Sequence, residues 1–188
     1  MQVRRNSLIR QVSLSFALLA IAAALGAQTP PAPAPQALNW KVFSYPALGF
    51  RASFPSEPKL EEKKQDAPLG TILFTSYCAQ VADTYLCAAV IDQGPEATGL
   101  TPEVLLERMK MGLELIPKTN TLNEKKIDLD GHAGVEVETA SDTVHITTRI
   151  YLVDNTLYQT IVTVPVKDSF PGTARFLDSF RLIHRSKN

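Results

Sequence analysis

Cysteine is scarce in this sequence, with only Cys78 and Cys87 among 188 residues. That excludes a disulfide-dense miniprotein. Excess charge of one sign is also missing, because 19 Lys and Arg face 19 Asp and Glu. A nucleic-acid binder shows a basic stripe, and none is visible here. At 45% apolar and 20% charged residues the chain is neither disordered throughout nor a fibrous repeat. Its longest apolar run, Val12 to Leu25, falls short of the roughly 20 residues a membrane span needs. The three histidines, His132, His145 and His184, show no HExxH, HxH or Cys-His spacing. No metal site and no cofactor is expected from them. Nor is there a Gly-x-Ser-x-Gly elbow or a Gly-rich phosphate loop.

What is there begins with an address. Arg4, Arg5 and Arg10 precede the apolar stretch, and Ala24, Gly26 and Ala27 follow it. This is the three-part pattern of an export signal peptide over residues 1–27, cleaved after Gly26 or Ala27. General secretion and twin-arginine export are both open, since Arg4-Arg5 stands three residues before Leu8. No cysteine lies near the cleavage point, which argues against a lipid anchor. Removal of this segment leaves 16 basic against 19 acidic side chains, a net charge of −3. The stretch 28–38 carries Pro30, Pro31, Pro33 and Pro35 and reads as a stiff extended spacer. Residues 39–185 then have the size of one domain.

Strand patterns dominate that domain. Lys41 to Tyr45 and Phe50 to Phe54 flank a Pro46-to-Gly49 turn, and Lys59 to Asp66 reads as a charged edge strand. Thr71 to Gln80 and Thr84 to Asp92 form a hairpin, and Asn123 to Leu129 a further strand. Ala133 to Thr139, Thr143 to Val153 and Thr156 to Val164 read as a meander. A helix is expected after the Thr101-Pro102-Glu103 start, with Pro117 as its stop, and a second over Ser169 to Asp178. A short strand, Phe180 to Ile183, closes the chain. The expected class is α+β, an antiparallel β-sheet with two helices packed on it.

Several segments carry a resemblance. Gly49-Phe50, Phe54-Pro55 and Pro58 resemble the opening of a group of exported bacterial domains. Gly131-His132-Ala133-Gly134, Arg149-Ile150-Tyr151-Leu152, Leu157-Tyr158-Gln159 and Phe176 to Phe180 resemble their later turn and close. Such domains are similar to the PsbP-like α/β/α sandwich. The resemblance implies that fold and a non-enzymatic binding or accessory role. Its motifs are turns and core aromatics, so it implies no partner.

Two constellations carry chemistry. If Ala82-Asp83 is a two-residue turn, Val81 faces Thr84 and Cys78 faces Cys87. A disulfide is then expected in an oxidising compartment, two reduced core cysteines being the rival reading. In the meander, a turn at Ala140-Ser141 sets Glu136 opposite His145. An Asp154-Asn155 turn sets Arg149 opposite Thr160 and Tyr151 opposite Tyr158. Alternation then collects Glu136, His145, Arg149, Tyr151 and Tyr158 on one face. That face reads either as a ligand-binding surface, with Arg149 for an anion and His145 poised by Glu136, or as a solvated sheet face.

The functional expectation is an exported, non-enzymatic binding or accessory module of the cell envelope, periplasmic or secreted. Its partner would be an envelope protein or a small ligand. The chain would have no nucleic-acid partner and no membrane span after signal cleavage. The alternatives are a hydrolase-like enzyme working around His145 and a structural envelope component.

Overall fold

The structure is a computed structural model. It describes residues 38–67, 70–92, 101, 103–105, 107, 119–154 and 156–185, all within the compact unit Ala37–Asn188. The expected signal peptide and almost all of the proline-rich spacer lie outside these residues, as does most of the helix expected after Thr101.

Ten strands run in chain order through the described residues. They are β1 (Lys41–Tyr45), β2 (Phe50–Phe54), β3 (Lys59–Ala67), β4 (Gly70–Val81) and β5 (Thr84–Asp92), then β6 (Asn120–Leu129), β7 (His132–Ala140), β8 (Val144–Val153), β9 (Thr156–Pro165) and β10 (Arg181–Leu182). They form a three-stranded sheet, β1-β2-β10, and a seven-stranded sheet, β3-β4-β5-β9-β8-β7-β6. Every pairing is antiparallel.

This corrects the α+β expectation. The chain is mostly β, two antiparallel sheets with short helical pieces, and not a sheet layered by two packed helices. The C-terminal helix spans only Thr173–Ser179 and buries Phe176 and Leu177. The first helical segment appears at residues 103–105 and 107, where Thr101 accepts a hydrogen bond from the Val104 amide as a cap does. The physical reason is that much of the second layer is itself a sheet. β2 alternates buried Phe50, Ala52 and Phe54 with the outward Arg51 and Ser53. Together with the helix it covers one face of the large sheet, a task the sequence pattern assigns to helices.

The large sheet is apolar on both faces. Towards the small sheet, Phe50, Phe54, Phe176 and Phe180 pack on Leu86, Ala88, Val90, Tyr151, Tyr158 and Val162. On the far face, Ile91, Val135, Val137, Ile150, Leu152 and Leu157 gather around Leu105. Each large side chain buried in this way contributes about 1.5–3 kcal/mol.

Short turns set the register. Asp130 and Gly131 both have positive φ, which closes β6 on β7 as a two-residue hairpin. Ala82-Asp83 closes β4 on β5, with Val81 opposite Thr84 and Cys78 opposite Cys87. The two sulfurs are joined as a disulfide. The β7–β8 connection differs from expectation. Ser141 Oγ accepts hydrogen bonds from the amides of Thr143 and Val144. A serine turn of this kind widens the loop beyond two residues. Glu136 therefore lies opposite Arg149, and His145 lies opposite Ala140. The displacement is even in number, so each side chain keeps its expected face.

Candidate functional site

Lys125 on β6, Glu136 on β7, Arg149 on β8 and Thr160 on β9 form one row across the sheet. The next row holds Ile127, Gly134, Tyr151 and Tyr158. Both rows face the small sheet and the C-terminal helix, so the expected polar face is covered and not wet. Glu136 is 5% exposed, and Thr160 is fully buried with an unpartnered hydroxyl.

Glu136 is held from both sides. Lys125 Nζ lies 2.7 Å from one carboxylate oxygen, and Arg149 Nε donates to the other at 2.5 Å. Arg149 Nη1 donates to Asp178 Oδ1 at 2.7 Å, which ties β8 to the helix. Burial pushes the Glu136 carboxyl up, but the two cations outweigh it and hold the group below its ordinary value. Burial likewise opposes the Arg149 charge, and its bonds to Glu136 and Asp178 outweigh that and raise it. Of the remaining expected residues, Tyr151 lies nearly parallel to Phe180, with ring centres 6.0 Å apart. Tyr158 donates from its hydroxyl to the Leu48 carbonyl at 3.1 Å. Burial raises both phenols.

The structure thus brings Glu136, Arg149, Tyr151 and Tyr158 together. His145 shares their face but sits exposed near the end of its strand, beside Ala140 and Val164. The His145–Glu136 pairing is not formed, and Glu136 is committed to cations. Lys125, Asp178 and Arg181 are site residues that sequence reasoning missed. Asp178 stood within the Phe176-to-Phe180 segment, but its contact with Arg149 spans 29 positions and leaves no local trace.

A cleft of about 260 Å³ opens where this network reaches the surface. Asp128 and Leu129 at the end of β6 line it, with Arg149 and Tyr151 on β8, and Leu177, Asp178, Phe180 and Arg181. Its floor is aromatic and aliphatic, and its rim carries two carboxylates and two guanidinium groups. Such an arrangement orients a polar ligand or a side chain of a partner. Among the described residues no group of His, Cys, Asp and Glu is placed to hold a metal ion. Among them, too, no helix is long and apolar enough to cross a membrane.

On the other face, Tyr85 on β5 donates from its hydroxyl to Glu61 across β4, beside the disulfide. Burial and that bond push the phenol up to about 12. This latch braces the charged edge strand β3.

No protein-family model matches the chain. No curated protein matches it in sequence. Among the solved structures that match the chain are two of low identity. One is the solution structure of cyanobacterial PsbP (CyanoP) from Synechocystis sp. PCC 6803, with a TM-score of 0.49 and 12% identity over 84% of this chain and 99% of that one. The other is a protein of unknown function, PA94, from Pseudomonas aeruginosa, with a TM-score of 0.33 and 11% identity over 69% of this chain and 85% of that one. Likenesses at this level assign neither a family nor a function.

Proposed function

We propose that the chain is an exported, non-enzymatic binding or accessory module of the cell envelope, periplasmic or secreted, whose ligand or partner seats at the Arg149–Tyr151 cleft. The observation that carries the reading is the commitment of the polar groups. Glu136, Arg149 and Asp178 hold one another in a chain of ion pairs, which fixes the cleft's rim. A carboxylate held below its ordinary value between two cations is a poor general base. Such a network suits recognition by shape and charge. The basic and apolar leader of residues 1–27 supports export, and the Cys78–Cys87 disulfide suits an oxidising compartment.

Native mass measurement of the protein exported into an oxidising compartment, repeated after denaturation, tests this. A co-purifying mass that is lost on denaturation and on Arg181→Ala, but kept on Arg51→Ala, which lies outside the cleft, supports a ligand there. Catalytic turnover abolished by Glu136→Ala or His145→Ala would overturn the non-enzymatic reading. A clean polypeptide mass counts against a tightly held small ligand and leaves a protein partner as the occupant to capture.

A further inference from the structure

The outer face of the small sheet has an unusual pairing. Arg51 on β2 lies directly opposite Arg181 on β10, and Ser44 on β1 lies opposite Arg51 from the other side. Like charges placed directly opposite across antiparallel strands repel. Arg51 is exposed, and among the described residues its side chain has no hydrogen-bond or ion-pair partner. Arg181 is fixed: its Nη1 donates to the carbonyls of Asp178 and Phe180, both at 2.7 Å. Among the described residues the rest of its guanidinium fork has no partner. Ser53 stands next on the same face of β2, opposite the exposed Val42.

The charge around the patch is one-sided. Residues 38–54 and 173–185 carry Lys41, Arg51, Arg175, Arg181 and Arg185, with Asp178 as their one acid. The Asp178 carboxylate is turned onto Arg149. Arg175 lies over the Trp40 ring. The chain beyond residue 27 is net acidic, so its small layer is a basic island.

We propose that Arg51 and Arg181, with Ser44 and Ser53 beside them, form a binding site for a phosphate-type oxyanion. A dianion between the two guanidinium groups replaces their mutual repulsion with charge-assisted hydrogen bonds, and the hydroxyls supply neutral donors. The site shares Arg181 with the Arg149–Tyr151 cleft, whereas Arg51 lies outside that cleft, so Arg51 is the residue that distinguishes the two.

The test uses the full domain titrated with inorganic phosphate at constant ionic strength, with chloride as the balancing salt. Amide shifts concentrated at Ser44, Arg51, Ser53 and Arg181, and a phosphate-dependent rise in the thermal midpoint, are expected. Arg51→Gln and Arg181→Gln each weaken phosphate binding about tenfold or more. In chloride alone Arg51→Gln unfolds at the same or a higher temperature, because the repulsion is gone. Shifts no larger than those in chloride would overturn the proposal. So would an Arg51→Gln protein that keeps the phosphate effect and is itself less stable, since Arg51 would then be a structural residue. Binding to phosphatidylglycerol vesicles that is lost in Arg51→Gln places the phosphate on a lipid headgroup. Phosphate shifts without vesicle binding place it on a soluble ligand.

Discussion

Glu136 illustrates how this fold uses charge. A carboxylate 5% exposed is costly unless it is paired, and here two cations and two hydrogen-bonding geometries pair it. Arg149 is the pivot, since its second bond reaches Asp178 on the helix. Replacing Glu136 by Gln keeps the volume and removes the charge. Arg149 retains Asp178 and some solvent, so the expected loss is about 2 kcal/mol, below that of a fully buried orphan. The loss should also depend on pH. The folded chain holds this carboxyl below the ordinary value of 4.5, whereas the unfolded chain does not. The stability it gives is therefore present above about pH 4.5 and disappears as pH falls through the folded value. Urea unfolding at pH 7 should separate Glu136→Gln from the parent protein, and at pH 3 the gap should shrink. An equal gap at both values would mean that packing, not charge, sets the cost.

At the scale of elements, the hairpins explain what the sequence made legible. Where two strands meet through a tight turn, as at Ala82-Asp83, local chemistry sets the register over the whole ladder. Cys78 opposite Cys87 and Tyr151 opposite Tyr158 were readable for that reason. The β7–β8 connection was not, because the Ser141 hydroxyl takes two amides and lengthens the loop. Identity of face survived while identity of partner did not. The three strands of the small sheet were expected, but the pairing of the last with β2 was illegible in another way. The outer strand β10 has two residues and joins β2 from the far end of the chain. No short pattern encodes that return, so the polar face that it helps to cover looked wet. Gly134 is a local device within this arrangement. A Cβ placed there would lie 2.6 Å from both the Ile150 carbonyl oxygen and Tyr151 Cδ1. One of these contacts is with backbone, so relief requires β7 and β8 to move. Gly134→Ala should cost about 1–3 kcal/mol, as overpacking does. It should also displace the Tyr151 ring, read as a changed ring-proton shift. A neutral substitution would show that the strands part without penalty there.

For the whole molecule, the question is whether the small and large sheets fold as one. Their junction is aromatic. Phe180 stacks on Phe50 at 5.4 Å and on Tyr151 at 6.0 Å, and its ring centre lies 6.1 Å from Tyr158. It is 1% exposed, so both layers lose contacts if it is cut back. Ring pairs of this kind add roughly 0.5–1.5 kcal/mol each beyond the area they bury. The Lys125–Glu136–Arg149–Asp178 chain crosses the same junction with charge, and the Ser53 amide donates to Ser179 Oγ at 2.8 Å. These links make separate melting of the small layer unfavourable. Trp40 is the sole tryptophan and packs beside Phe170 under Arg175, so its fluorescence reports the small layer. Far-UV circular dichroism reports chiefly the large sheet. The two signals should follow one denaturant curve, as a two-state domain requires. Phe180→Ala should move both midpoints together, by a stability loss of about 3–5 kcal/mol. Phe180→Leu, which keeps most of the volume, should move them less and still together. A tryptophan transition that precedes the dichroism change in the parent protein would show that the aromatic junction does not bind the layers into one cooperative unit. In that case the cleft at Arg149 and Tyr151, built from both layers, would open before the large sheet unfolds.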